Sequence, residues 1–527
     1  MVRIAPPQFC GHPSLFIPRM WMLSLCGLAV LSIAAVSRAE ELTYVNTQGE
    51  QVVVTGRLTA RGQGMEAFER DDGWIDFIPG GAIVKRDPSV EPAPYSCEQM
   101  VEVLERKFSK DLLRTEVRDP FVTAMVLEAP LERTGERGAT IFLRRAGKFM
   151  ENVDSMFMRF AKSMDLPTRE LRFPLVMVIF ESDDDFDEYF TEISGGRGLQ
   201  ASNVLGVYSA VTNWLAVRMT LLDSFEVPLH EAIHQQAKNR LYHRLAPAPA
   251  WFDEGIATGF EGNGERVIVN PTQVNEHFAQ LVTRLPQGID WTQIAGDNAS
   301  FSTDVLAGNA YTVAWALHWM MVTEHRKTYR DYIVSLSEWD PMNEWKPLEL
   351  TSREELLGRF EDSFGVTVAE VQESFPKKFE VAVKRQRVNL TPKVNVGSTL
   401  EQKAFGQYLI HATEVINLGQ LRVGGQLKNI SPLRARTFYL TLETGSGLYA
   451  DWLIPDLQPE KVVPLESQVA SKQFSPEIQG SPGSFRVFVR SVPADSDVAE
   501  QWKSGRVPGP VSGSTNAVQA RPSFFGQ

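Results

Sequence analysis

The five consecutive residues His230-Glu231-Ala232-Ile233-His234 carry the densest chemistry in the chain. On an α-helix, residues four apart lie roughly 40° apart around the axis, so both imidazoles leave one face about one turn apart. That spacing lets two ring nitrogens reach one zinc ion at about 2.0–2.1 Å. Glu231, one position on, is too far round to be an ideal third ligand. It is well placed to take a proton from water at the metal. The bland alternative is two solvated histidines on a helix face. Chance gives the pattern in roughly one such sequence per hundred or more.

A catalytic zinc needs three protein ligands and one open position. One class of zinc peptidase places Gly and His three and six positions after the second His. Here those positions hold Ala237 and Arg240, which excludes it. Another class takes a Glu from a following helix. Pro247 and Pro249 precede a helical start, and Glu254 stands 20 positions after His234. Gly255 lets two helices approach closely there. Two His and a carboxylate suit Zn²⁺. Asp253 is the competing ligand, and an acid favoured by a helix N-terminus is the structural alternative for Glu254.

The string from Trp251 through Asp253, Glu254 and Gly255 to Ala257, following His-Glu-x-x-His, resembles the gluzincins, the thermolysin- and aminopeptidase-like zinc peptidases. A narrower resemblance is to a bacterial domain-of-unknown-function family of secreted, gluzincin-like proteins. It rests on Gly206-Val207-Tyr208-Ser209 with Thr212-Asn213, on Leu229 to Gln235, and on the Glu254 string, and spans about residues 170–335. The resemblance implies a helical active-site half beside a small sheet, with the hairpin over 204–219 lining a cleft and pairing with an extended peptide. It also implies an oxyanion donor from the helix that begins at Tyr311, with His318, His325 and Tyr329 competing, or else an interior Tyr bonded to backbone. The second shell is open. Thr258 and Asp253 are candidates, and the thermolysin-like pattern prefers an acid where Thr258 stands.

The elements that must position these groups read as α+β. Residues 95–108, 140–164, 310–325 and 354–386 have helical character, the last two being the longest stretches of the mostly helical segment from Ser224 onward. Residues 121–127 and 174–180 read as strands. Ser224 can cap the motif helix, Pro228 fits its first turn, and residues 235–238 continue it. The gluzincin-like core over 97–390 is flanked by a small β module over 40–92 and a β-sandwich over 395–495. Residues 1–39 read as a signal peptide with an apolar run over 21–36, and 506–527 as a disordered tail.

The formal net charge of −12 disfavours nucleic acid or anionic membrane as main partner. Cys10 and Cys26 lie in the leader, so Cys97 has no intramolecular partner once the leader is removed. An exported chain without disulfides must rely on core size. The expectation is therefore a zinc-dependent hydrolase, secreted or in the periplasm or cell envelope, cleaving a peptide or protein substrate with no membrane insertion after signal removal. Two alternatives are a zinc-containing binding or scaffold protein without catalysis, and a hydrolase of a non-peptide amide or ester.

Overall fold

Two apolar runs, Phe121–Val126 and Leu175–Phe180, are buried at every position, as strands covered on both faces must be. In the computed structural model they lie parallel to one another, and Trp214–Arg218 continues the parallel set. Leu113–Arg118 and Gly206–Tyr208 close the two edges antiparallel. The structure describes residues 39–194, 204–221, 225–261, 269–301, 307–340, 342, 351–390, 401–415, 420–444, 447–469 and 486–509. The leader and the tail, apart from Ala39 and residues 506–509, lie outside these residues, as does Ser224. No helix among the described residues is long and apolar enough to cross a membrane.

One face of this sheet buries Met125, Met177 and Leu215 against the 31-residue helix Arg133–Ser163 and the motif helix Glu226–Gln236. The other buries Val122, Val178 and Ala216 against Cys97–Phe108 and Asp183–Ser194. Ser96 and Gln99 form a capping box that starts the first of those helices. The stretch over 354–386 is two helices. Gly365, at φ +69°, ends Arg353–Phe364, and a Thr367–Glu370 capping box starts Val368–Gln386. Among the described residues the longest helix is Arg133–Ser163, whose Gly135 and Gly138 weaken its periodic signal.

Both flanking β regions are sealed onto the core. The N-terminal sheet runs Ile75–Pro79, Met65–Arg70, Gln51–Gly62, Ala39–Val45, Ile83–Asp87, antiparallel throughout. At the other end, a four-stranded and a three-stranded sheet share a core that includes Tyr408, Leu427, Phe438 and Val489. Its loop packs so closely on the long helix that a Cβ on Gly138 would stand 2.3 Å from the Pro432 carbonyl oxygen. Buried Glu181, just beyond a central strand, takes Arg434 Nε at 2.8 Å and Arg436 Nη1 at 3.3 Å. Burying these charges is tolerable because each is paired.

Candidate metal centre

The motif helix starts without a side-chain cap. Its N-cap is Phe225, at φ +51°, so the expectation of a Ser cap gives way to a left-handed residue whose ring is wholly buried against Phe149. After Gln236 the backbone widens into a π turn, Ala237–Leu241. This turn carries Lys238 and Asn239, both used below. The ligand helix Ala250–Phe260 follows, capped by Pro249. It crosses the helix Ala307–Glu324 at Gly255, where a Cβ would sit 2.6 Å from His318 Cβ and 2.7 Å from the Ala314 carbonyl oxygen. We expect Gly255→Ala to cost about 1–3 kcal/mol despite its better helix propensity, since a backbone atom blocks the new methyl. Thermal melts would check this, and an unchanged midpoint would count against the close crossing.

Three donor atoms converge between these helices. His230 Nε2 lies 3.0 Å from Glu254 Oε2 and 3.0 Å from His234 Nε2, and His234 Nε2 lies 3.5 Å from Glu254 Oε2. Ligands about 2.0–2.1 Å from a tetrahedral ion stand about 3.3 Å apart. The observed triangle fits that spacing, and His230, His234 and Glu254 can hold a metal ion. Asp253 is no rival for this position. Its carboxylate faces the far side of His234, 3.8 Å from Nδ1, and is held by Lys238 Nζ at 2.6 Å and the Tyr242 hydroxyl at 2.7 Å.

His230 Nδ1 meets Glu261 Oε1 at 2.6 Å. Glu261 is the partner that sequence reasoning missed. It stands seven residues after Glu254, two helical turns on, and that spacing was the available signal. Thr258 does not serve: its hydroxyl donates back to the Glu254 carbonyl at 2.9 Å. Burial alone would lower the pKa of both imidazoles. The carboxylates win, raising His230 well above its usual value and His234 to about 9. Burial would likewise raise Glu254, but the two imidazoles hold it down at about 2. The pocket is thus built for a cation, whether protons on the imidazoles or a metal between them.

Glu231 turns toward the sheet, its Oε2 accepting from the Tyr208 backbone N–H at 2.8 Å. Tyr208 ends the edge strand Gly206–Tyr208, and its hydroxyl donates to Asn213 Oδ1 at 2.9 Å. Asn239 Nδ2 donates to the same oxygen at 2.7 Å, tying the hairpin to the π turn. Asn213 takes φ +64° at the corner, as Asn tolerates. The Tyr311 ring lies 5.9 Å from that of His230. Burial first, then the charges of Glu254, Glu231 and Glu261, push its pKa far up, so it stays a donor. The other three candidates are elsewhere. His318 Nε2 and the Tyr329 hydroxyl are buried and 3.0 Å apart, and His325 is the N-cap of Arg326–Glu338.

These features define a mixed α+β protein with a His/His/Glu cluster able to hold a metal. Residues 227–343 match a family model described as "Protein of unknown function (DUF1570)". The match supports the resemblance to a domain-of-unknown-function family; it takes in the motif helix, Glu254 and Tyr311 and begins after the hairpin. No curated protein matches the chain.

Proposed function

We propose that this protein is a gluzincin-type zinc hydrolase acting on peptide bonds, exported by the leader over residues 1–39. The convergence of His230 Nε2, His234 Nε2 and Glu254 Oε2, with Glu231 next in sequence to His230 on the same helix, is the observation that carries this reading. Two imidazoles and a carboxylate are a ligand set for zinc with an open fourth position. A zinc ion held there would supply Lewis-acid polarisation of a carbonyl and acidify an attacking water toward neutrality.

The chain's own groups do the rest. Glu231, steadied by the Tyr208 N–H, accepts the proton of the attacking water and returns it to the leaving amine. The Tyr311 hydroxyl donates to the oxygen on which negative charge develops. Glu261 orients the His230 imidazole from behind, and the Asp253 charge faces the far side of His234 at 3.8 Å. Among the described residues the edge strand Gly206–Tyr208 pairs in the sheet only with Trp214–Arg218, so beyond the Tyr208 N–H taken by Glu231 its outer edge can receive an extended peptide.

The test is metal content. The purified protein should hold close to one equivalent of zinc, and His230→Ala and Glu254→Ala should each lose most of it. A screen on peptides against other amides and esters then separates a peptidase from another hydrolase. Well-folded, zinc-free wild-type protein after zinc loading would sink the reading in favour of a scaffold.

A further inference from the structure

The N-terminal sheet reaches the turn of the site's hairpin at consecutive carbonyls. Ile75, at the start of a strand, donates its N–H to the Val211 carbonyl at 2.8 Å. Glu69, on the neighbouring strand, pairs with Arg244 at 2.7 Å, and both side chains are 4% exposed. Arg244 Nη1 then donates to the Ala210 carbonyl at 3.1 Å. Trp74 adds an edge-on contact to Trp214, with ring centroids 6.4 Å apart. Ala210 and Val211 belong to the turn that joins Tyr208 to Trp214, and Tyr208 holds Glu231.

We infer that the N-terminal sheet positions the base of the hydrolytic site, with Glu69 and Arg244 as the positioning residues. The inference rests on the hydrolase reading for Glu231. Its physical basis is the weakness of the turn alone. Asn213 turns the corner in a left-handed conformation, which Asn tolerates but which gives the turn no sheet pairing of its own. The Gly206–Tyr208 strand is three residues long and has a sheet neighbour on one side. Such a hairpin is marginal unless something holds its end. Asn239 and Gln235 hold the Asn213 corner from the motif-helix side, and the Ile75 N–H and Arg244 hold Val211 and Ala210 from the other, so the Tyr208 N–H stays aimed at the Glu231 carboxylate. A forked guanidinium suits this task because it satisfies Glu69 and Ala210 together. Arg57, 2.5 Å from Glu69, completes the buried pairing from within the sheet.

The experiment uses the full chain loaded with zinc. Glu69→Gln keeps an acceptor and drops the charge, while Arg244→Lys keeps the charge and drops the fork. Glu40→Gln is the control, since Glu40 pairs with Arg86 at 2.6 Å in the same sheet without touching the hairpin. Hydrogen exchange over residues 205–213, zinc content, kcat and KM are read where circular dichroism shows each variant fully folded. We expect both test variants to exchange this segment about tenfold faster and to lose about tenfold in kcat, with zinc and KM little changed. Glu40→Gln should leave exchange and kcat alone. Equal loosening by Glu40→Gln, or unchanged exchange in the test variants, overturns the inference. Absence of hydrolysis by the wild type sinks the hydrolase reading instead, and the exchange comparison still decides whether the sheet holds the Glu231 contact.

Discussion

Glu231→Gln is expected to lower kcat by about 10³-fold or more while zinc stays bound. The substitution preserves shape and still offers an oxygen to the Tyr208 N–H, so the 2.8 Å contact and the hairpin should persist. What disappears is basicity. General-base catalysis contributes roughly 10²–10⁴-fold, and here the same group also returns the proton to the leaving amine, which places the loss high in that range. The ligand triangle does not include Glu231, so zinc stoichiometry should match wild type. The measurement is single-turnover cleavage of the best peptide beside metal analysis of the same sample. Near-normal turnover removes Glu231 from the role of base. Loss of zinc with activity would show instead that Glu231 supports the metal site.

How the sequence carried this site depends on the range of each interaction. His230, Glu231 and His234 are legible because their relation is local, set by the 3.6-residue period of one helix. Glu254 is legible only through the resemblance and the ligand chemistry, because the turn between its helix and the motif helix fixes the distance. Glu261 has a local periodic relation to Glu254, but the His230 contact that gives it meaning is 31 residues away in sequence. The seams are least legible. Glu69 and Arg244 lie 175 residues apart, and Glu181 and Arg436 lie 255 apart. Alone, each looks like an ordinary charged residue of a strand or loop. Within the N-terminal β module the strand Met65–Arg70 is poorly legible for a related reason: its Glu69 and Glu66 are buried, which breaks the apolar alternation that marks a strand. Phe225 shows the opposite case, a helix start held by tertiary packing where the local rule expects a hydroxyl.

Acid is expected to unfold this protein early, through two buried histidines outside the metal cluster. Burial pushes His318 down to about 3 and His243 down to about 4. Both are depressed from an ordinary value of about 6.5, so the fold holds the neutral ring and the unfolded chain takes the proton first. Their contribution is therefore complete above about pH 6.5 and falls as pH drops, until about 4 for His243 and about 3 for His318. Two groups losing together remove up to about 3 kcal/mol per pH unit, so the interval from pH 6 to 4 costs on the order of 5 kcal/mol. Glu69 adds to this further down. Burial opposes its charge, but Arg244 and Arg57 hold its pKa at about 2, so its contribution, complete above about 4.5, is lost as pH falls toward 2. Net stabilities are commonly 5–15 kcal/mol, so the loss is a large fraction of the whole. His318→Gln separates this cause from general acid denaturation. Glutamine can still meet the Tyr329 hydroxyl but does not titrate. Urea midpoints at pH 7, 6, 5 and 4 should fall steeply in wild type and about half as steeply in His318→Gln. Parallel curves would mean that His318 accepts its proton in the folded state, against the burial that surrounds it.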